Sequence, residues 1–391
     1  MSAEATKAAS IQSRFLVLTH FMVDGAPQAL VRHLSAQVGI EVTYVAHPLE
    51  AGFADHECLI ASHGKTRVRT HLKALVTVPI LCWIWDIIVT IYWITKFQRT
   101  YEVCVAAGCV NVAAALFLKR VGIVKTVIFY SIDFVPRRFE NSILQNLYRM
   151  SDNAAFVMAD VTWCLTDRMV EARKAQVGAW RNGKRDVIVP IGIDCSVQAY
   201  DEQHIERYSL VYVGAILEKQ GLQIVIPALR ALQGKFPALR MRIVGDGPYL
   251  PHLRELAREH DVGNMIEFHG LITDRVRLTE LVGTAAIGLA PYAPNNESFT
   301  WYADPTKPKD YLALAIPVVI TEVPAIAQTI HDAGAGQVVS YRSQDVADAI
   351  ERFLADDDYW RGARQAAYHL SRAYCWDAVF ARAIACSLFV P

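Results

Sequence analysis

Residues 304–321, DPTKPKDYLALAIPVVIT, bring together side chains that could hold a phosphorylated ligand. The pattern predicts an apolar helix that ends just before a buried strand at residues 317–321. Thr306 or Asp304 is expected to cap this helix, which leaves other N–H groups of its first turn free to bind an anion.

Three charged side chains lie in the first turns of that helix. Lys307 and Lys309 are expected to surround one spot with positive potential, and Asp310 could accept hydrogen bonds from ligand hydroxyl groups. A phosphate beside a diol indicates a nucleotide. The alternative is an ordinary capped helix that leads into a buried strand, and the segment alone leaves both readings open.

The composition is that of a folded protein with more than one domain. The chain has 391 residues, of which 53% are hydrophobic and 20% charged, so it is long enough for two domains of ordinary size. Lys plus Arg and Asp plus Glu both number 39, and this zero net charge gives no reason to expect nucleic acid as a partner.

The cysteines show no pattern of a metal site. There are eight, with no CxxC pair, and several lie in apolar runs, so we expect small buried hydrophobic side chains in a reducing compartment. The N-terminal residues contain no apolar core typical of a secretory signal. We therefore expect a cytoplasmic protein.

Apolar runs of strand length alternate with helical patterns along the chain. This alternation predicts parallel sheets and an α/β class. The predicted strands are residues 14–19, 41–46, 102–106, 125–130, 161–165 and 186–190, and a second series begins at 209–213 after a polar stretch that resembles an interdomain linker.

The loop after the strand at 125–130 carries chemistry-bearing side chains. Asp133, Arg137 and Arg138 are expected at the carboxyl edge of the sheet, where open α/β sheets bind ligands. A carboxylate with two arginines could serve acid/base chemistry or anion binding. The alternative is that these residues only pair with each other on the surface.

Residues 72–97 form an apolar stretch of membrane-spanning length with basic flanks. A single crossing would separate strands of one sheet, and Pro79 and Asp86 interrupt the run. We therefore predict an interfacial or shallowly inserted helical hairpin on anionic lipid. Its expected anchors are Trp83, Trp85, Tyr92 and Trp93. The alternative is a helix buried inside the domain.

The second series of strands contains two glycine turns that could approach a ligand. Gly214 ends the strand at 209–213, and Lys219 follows near the predicted start of a helix, which makes a second possible phosphate site. Gly245 opens a Gly-Asp-Gly-Pro turn after the next strand, where the missing side chain lets the backbone come close to a bound molecule.

Four segments in order resemble the donor-nucleotide domain of GT-B glycosyltransferases, specifically the retaining family 4. They are VYVGAILEKQGLQIVIPALRAL, RIVGDGPYLPHLRELA, IEFHGLIT and PTKPKDYLALAIPVV, within about residues 209–375. The resemblance implies two Rossmann-like doubly wound domains that face a cleft. The implied domains are an acceptor domain at 1–200, a donor domain at 201–375 and a C-terminal helix at 376–391 that returns to the first domain.

The resemblance assigns the phosphate-binding positions with some departures. The family's glycine-rich first loop corresponds to Asp24, Gly25 and Ala26. Ala215 stands where the family has Arg, and Gln220 stands where it has Lys, while Lys219 lies one residue earlier. The resemblance therefore implies that Lys219 and Lys307 hold the diphosphate of the donor beside Gly214, with Thr306 at the start of the helix.

The resemblance also places the base, the ribose and the sugar. Leu271 and Ile272 correspond to the segment that packs on the nucleobase, with Gly245 in the same region. Asp310 matches the family's second glutamate, which holds the ribose. Glu297 is similar to the first, which contacts the sugar, but it stands thirteen positions before Asp310 instead of eight.

Ile132 stands where the acceptor domain of the family usually has His, which leaves Asp133 as the polar group there. The implied reaction moves a sugar from a nucleoside diphosphate sugar to a hydroxyl group with retention of configuration and without a metal or other cofactor.

Residues 72–97 point to a lipid-linked saccharide or glycolipid acceptor, as in assembly of cell-surface polysaccharide. The expected location is the inner face of the cell membrane. The alternatives are a GT-B-like nucleotide-sugar epimerase and a non-catalytic nucleotide-sugar-binding protein.

Overall fold

The computed structural model describes residues 12–21, 24–49, 54–74, 78–135, 137–178, 185–196, 199, 201–294 and 299–388. The chain divides into two compact units. Unit 1 is Met1–Val189 with Phe380–Pro391, and unit 2 is Pro190–Val379.

Within its described residues, unit 1 has an eight-stranded sheet with the order β4-β3-β2-β1-β5-β6-β7-β8. Its strands are β1 (Ser13–Phe21), β2 (Ile40–Pro48), β3 (His56–Ser62), β4 (Lys65–Leu72), β5 (Tyr101–Ala107), β6 (Val124–Ser131), β7 (Val161–Cys164) and β8 (Arg185–Ile188). Its helices are α1 (Ala26–Ala36), α2 (Pro79–Phe97), α3 (Cys109–Arg120), α4 (Ser142–Met158) and α5 (Asp167–Val177).

Every strand predicted for unit 1 is present, and the pairs among them are parallel. The sequence pattern missed β3 and β4, which form an antiparallel hairpin beside β2. The strand β4 reads KTRVRTHL and is mostly exposed at the edge of the sheet, where charged side chains are common and apolar alternation is lost.

Within its described residues, unit 2 has a six-stranded parallel sheet with the order β11-β10-β9-β12-β13-β14. Its strands are β9 (Glu206–Val213), β10 (Arg240–Val244), β11 (Ile266–Gly270), β12 (Ala285–Ala290), β13 (Val318–Thr321) and β14 (Gly336–Val339). Its helices are α6 (Val225–Leu232), α7 (Leu250–Glu259), α8 (Arg275–Gly283), α9 (Phe299–Tyr302), α10 (Thr306–Ala313), α11 (Ile326–Asp332), α12 (Ser343–Ala355) and α13 (Asp357–Ser371).

The last helix, α14 (Trp376–Leu388), begins in unit 2 and ends in unit 1. In unit 1 its residues pack on the buried Trp163 of β7. The indole N–H of Trp163 donates to Ser387 Oγ at 2.8 Å, and the Phe380 ring stacks on the indole with centroids 6.5 Å apart.

The prediction of a helical hairpin at residues 72–97 is wrong, because α2 is one continuous helix. Pro79 occupies its first position, where a missing N–H costs nothing, and so it does not interrupt the helix. By length and composition, Ile80–Phe97 could cross a membrane.

The two sides of α2 differ in burial. Val89, Trp93 and Ile94 lie in the core of unit 1. The opposite side carries Leu81, Ile84, Ile88 and Tyr92, which are each about half exposed, from 49% to 52%. We call these four residues the apolar face of α2.

Two of the four predicted membrane anchors are misplaced. Trp93 is fully buried, and Trp85 packs partly buried against the same core. Of the predicted set, Tyr92 lies on the apolar face, and Trp83 is half-buried near the start of the helix. Aromatic residues in an apolar helix do not reveal which side packs on the sheet when both sides are apolar.

The expectation of eight isolated buried cysteines is only partly right. Cys195 and Cys375 form a disulfide within unit 2. Cys386 is exposed and Cys82 is half-buried, whereas the remaining four are buried. A separation of 180 residues hides this pair from any reading of local spacing.

Candidate functional site

Glycines line the carboxyl ends of three neighbouring strands in unit 2. The N–H of Gly214, after β9, donates to Val244 O, and the N–H of Gly245, after β10, donates to Gly270 O of β11. Gly214 and Gly245 have φ angles of 141° and 137°, which other residues rarely adopt. The carboxyl edge of a parallel sheet is where α/β domains bind ligands. At Gly214 and Gly245 this edge presents backbone atoms without side chains.

The two glycine turns also touch each other. A Cβ atom on Gly245 would lie 2.0 Å from the carbonyl oxygen of Gly214. The close approach of the two loops therefore requires glycine at position 245. We call the backbone of Gly214 and Gly245 the glycine floor.

Lys307 lies directly beside the glycine floor. A Cβ atom on Gly214 would come within 3.2 Å of Lys307 Cε. Lys307 Nζ donates to Gln220 Oε1 at 2.9 Å and lies 3.8 Å from the centre of the Tyr212 ring. Burial lowers the pKa of Lys307 well below its ordinary value, because a charged amine is less stable away from water.

The start of α10 differs from the predicted capped helix. Pro305 precedes the helix, Thr306 is its exposed first residue, and no side chain of the described residues caps it. Asp304 instead accepts the N–H of Ile191 at 2.6 Å. The N–H groups of the first turn lack acceptors within the helix, as an anion site requires.

The prediction that Lys309 adds to the positive potential is wrong. Its side chain is fully buried and forms an ion pair with Asp304. Its Nζ also donates to Ile191 O at 2.7 Å and lies 4.6 Å from the centre of the Tyr374 ring. A buried ammonium group needs such partners, and only Lys307 remains to meet a ligand at this helix.

Asp310 follows one turn into α10. The residue keeps contact with solvent, yet the protein atoms packed around its carboxyl group raise its pKa to about 6. The positive charges of Lys309 and Arg275 oppose this rise. Asp310 is thus a carboxylate at neutral pH that protonates under mildly acidic conditions.

The other predicted residues of the donor site are on the same unit. Leu271 is 73% exposed and Ile272 is half-buried, both directly after Gly270. Lys219 is exposed in a short 3₁₀ turn, and its carbonyl accepts the N–H of Ala293. Glu297 lies outside the described residues.

Two residues of this site were missed by the sequence reading. Tyr212 lies under the Lys307 amine and donates its hydroxyl to Ala215 O at 2.8 Å. Gln220, which looked like the loss of a lysine, accepts a hydrogen bond from Lys307. Nothing local in the sequence links position 220 with position 307, because the contact joins residues 87 apart.

In unit 1, Gly25 precedes α1, and its N–H donates to Gln28 Oε1 at 3.0 Å. The amide of Gln28 donates in turn to the Tyr44 hydroxyl at 2.9 Å. Asp24 pairs with Arg32 on the surface, and Ala26 begins the helix in a buried position. The described part of the first loop is therefore held from within unit 1.

Asp133 follows β6 and forms an ion pair with Arg138. This is the pairing that the sequence left open as an alternative. Arg138 also lies over the Tyr148 ring, and Arg173 donates to the carbonyl oxygen of Asp133. Arg137 donates to the carbonyl of Glu140 instead of joining this pair. Asp133 is thus partly exposed but already partnered.

Comparison with known proteins gives the following matches. Residues 207–356 match the model of the family described as "Glycosyl transferases group 1". Alpha-D-kanosaminyltransferase of Streptomyces kanamyceticus is 22% identical over 66% of this chain and 69% of its own length. A GDP-mannose-dependent alpha-(1-6)-phosphatidylinositol monomannoside mannosyltransferase of Mycobacterium tuberculosis is 26% identical over 39% of this chain. The chain spans only 40% of that second relative.

The fold has close counterparts among solved structures. Sucrose-phosphate synthase of Thermosynechococcus elongatus superposes with a TM-score of 0.69 and 16% identity, over 95% of this chain and 97% of that one. Identity this low shows the fold alone. The superposition confirms the predicted α/β class with two parallel-sheet domains.

Replacing Gly245 by Ala should destabilise unit 2, because the added methyl group meets the carbonyl of Gly214 and the residue has a left-handed φ. We expect a loss of about 1–3 kcal/mol in the free energy of unfolding, measured by urea denaturation. Gly263→Ala is the matched control, since its Cβ meets nothing within 4 Å. Equal stability of the two variants would refute the close-packed glycine floor.

Proposed function

We propose that this chain uses a nucleoside diphosphate sugar to glycosylate a lipid-linked saccharide or glycolipid at the cytoplasmic face of a membrane. The chain is a GT-B glycosyltransferase, and its residues 207–356 match the glycosyl transferases group 1 family. The proposed donor rests on the Lys307 amine, which lies beside the glycine floor and the uncapped start of α10. The proposed lipid acceptor rests on the apolar face of α2.

The donor diphosphate would lie against the glycine floor. There it meets the N–H groups of the first turn of α10 and the Lys307 amine, while Asp310 accepts from the ribose hydroxyl groups and Leu271 and Ile272 pack on the base. The mannosyltransferase relative is named as dependent on a nucleoside diphosphate sugar, which supports this class of donor.

The chemistry would depend on charge stabilisation of the leaving group. As the glycosidic bond to the sugar lengthens, negative charge grows on the diphosphate, and a preorganised ammonium group stabilises that charge more in the transition state than in the ground state. The Lys307 side chain beside the glycine floor would supply that ammonium group. Retention of configuration and the absence of a metal in this step are part of the proposal.

Lys307→Met should lower kcat by about 10²–10³-fold, as removal of one charge-stabilising donor does in other enzymes. The assay incubates labelled nucleotide sugars with a lipid extract and counts label in the organic phase. Lys235→Met is the control, because Lys235 is exposed and pairs with Glu351 on the surface. Label that stays in an altered sugar nucleotide would indicate an epimerase, and no turnover at all would indicate a binding protein.

The affinity for a nucleotide sugar should fall as the pH is lowered through about 6, because Asp310 then protonates and loses its charge as a hydrogen-bond acceptor. Calorimetric titration between pH 7.5 and 5 measures this, and a nucleotide sugar is preferable to a free diphosphate, whose terminal phosphate titrates in the same range. Asp310→Asn should bind more weakly at pH 7.5 and lack this fall. An unchanged pH profile in the variant would remove Asp310 from the ribose site.

The apolar face of α2 supports the proposed class of acceptor. Its four side chains recur at helical spacing along the solvent side of a helix that is apolar on both sides. The helix α4 adds exposed Ile143 and Met150, and contact between the rings of Trp83 and Phe139 brings the start of α4 close to α2. Lys96, exposed at the end of α2, suits an anionic lipid surface. The name of the mannosyltransferase relative includes phosphatidylinositol monomannoside, a glycolipid.

The intact protein should float with vesicles of phosphatidylcholine and phosphatidylglycerol, and the double variant Ile84→Glu/Ile88→Glu should stay in the soluble fraction. Burying two carboxylates in the interface costs more than the contact returns. Val38→Glu is the control, since Val38 is exposed in unit 1 but lies outside α2. A wild-type protein that fails to float, or that dimerises through this face in analytical ultracentrifugation, would refute the lipid contact.

A further inference from the structure

A buried polar cluster lies beneath α2 in unit 1, on the side opposite the apolar face. Asp86 projects from the inner side of the helix with 5% of its side chain exposed. It meets His47 near the end of β2 and His56 at the start of β3, and both imidazoles are buried. Three separate elements of the chain thus bring one carboxylate and two imidazoles to a single point.

The three facing atoms form a compact triangle. His47 Nδ1 and His56 Nδ1 are 2.9 Å apart, and each is 3.6 Å from Asp86 Oδ1. Bonds of about 2.0–2.2 Å to a tetrahedral Zn²⁺ separate neighbouring ligand atoms by about 3.3–3.6 Å. Small adjustments of the two rings would therefore suffice to coordinate one ion.

Neighbouring groups hold two of the three side chains in the orientation that ligation needs. His47 Nε2 is 2.8 Å from Thr90 Oγ1, so that when this nitrogen carries the proton, Nδ1 presents a lone pair to the triangle. The second oxygen of Asp86 is 3.0 Å from His20 Nε2, and Asn111 Nδ2 is 3.0 Å from His20 Nδ1. These contacts leave Asp86 Oδ1 directed at the two imidazoles.

Asp86 is the acidic member of this buried cluster. The ion-pair partners of Asp86 among the described residues are His20, His47 and His56, which are charged only when protonated. A divalent ion at the centre of the triangle would compensate the buried carboxylate directly.

The orientation of the His56 ring places Nδ1 in the triangle. His56 Nε2 points away from it and is buried without a hydrogen-bond partner among the residues that the structure describes. When Nε2 carries the proton, Nδ1 presents its lone pair to the triangle.

We propose that His47 Nδ1, His56 Nδ1 and Asp86 Oδ1 bind one divalent ion of the Zn²⁺ class, with water completing a tetrahedral shell. The site ties α2 to the ends of β2 and β3, and its role is to hold that helix on the sheet. It is separate from sugar transfer and does not rest on the proposed function. Nitrogen-rich ligation with one carboxylate selects Zn²⁺ over Mg²⁺ or Ca²⁺, which prefer oxygen ligands.

The test measures metal content directly. The protein is purified without a histidine tag from zinc-supplemented medium, dialysed against metal-free buffer and analysed by inductively coupled plasma mass spectrometry. We expect about one zinc per chain in the wild type and about a tenfold lower content in His47→Gln and Asp86→Asn, because each removes a ligand. His331→Gln, an exposed histidine of unit 2, is the matched control and should keep the zinc.

A second measurement covers the case in which a variant does not fold. Wild-type protein stripped with a chelator should melt at a lower temperature, regain its original Tm with Zn²⁺, and show the visible absorption of tetrahedral Co²⁺ when cobalt replaces zinc. Mg²⁺ should restore nothing. Wild-type protein without bound zinc and without a response to Zn²⁺ or Co²⁺ would overturn the proposal, as would folded His47→Gln protein that retains its full zinc content.

Discussion

The buried ion pair between Lys309 and Asp304 determines how the start of α10 is held in unit 2. Asp304 accepts from the N–H of Ile191, and Lys309 donates to the carbonyl of the same residue, so the pair fixes the start of α10 against the segment that leads into unit 2. With Lys309 turned inward, the helix presents Lys307 alone to the glycine floor. These contacts offset the cost of burying two charges, and they would be lost if α10 turned about its axis.

Asp86 plays a comparable part in unit 1. It is the polar inner residue of a helix whose outer side is apolar, and its contacts with three imidazoles specify which side of α2 faces the sheet. Hydrophobicity alone could not make that choice, because both sides of the helix are apolar. The same carboxylate looked, in the sequence, like a mere interruption of a membrane segment.

Sequence reasoning recovered the features that depend on local pattern. Period and run length located each central strand, and the pattern around Lys307 located α10 and β13. It failed where tertiary packing decides which groups pair. Asp304 lies five residues before Lys309, yet it is the buried partner of that lysine instead of a helix cap. Gln220 meets Lys307, which is 87 residues away. The edge strand β4 escaped because solvent exposure removes the alternation by which strands are recognised.

The disulfide between Cys195 and Cys375 sits where the chain enters and leaves unit 2. Beside it, Ile193 and Trp376 exchange backbone hydrogen bonds with the opposite segment. Entry and exit thus run side by side, and the last turns of α14 rejoin unit 1. In genetic terms, unit 2 is an insertion with adjoining ends. Recombination could exchange it whole, and its own ends could be joined to make a circular permutant.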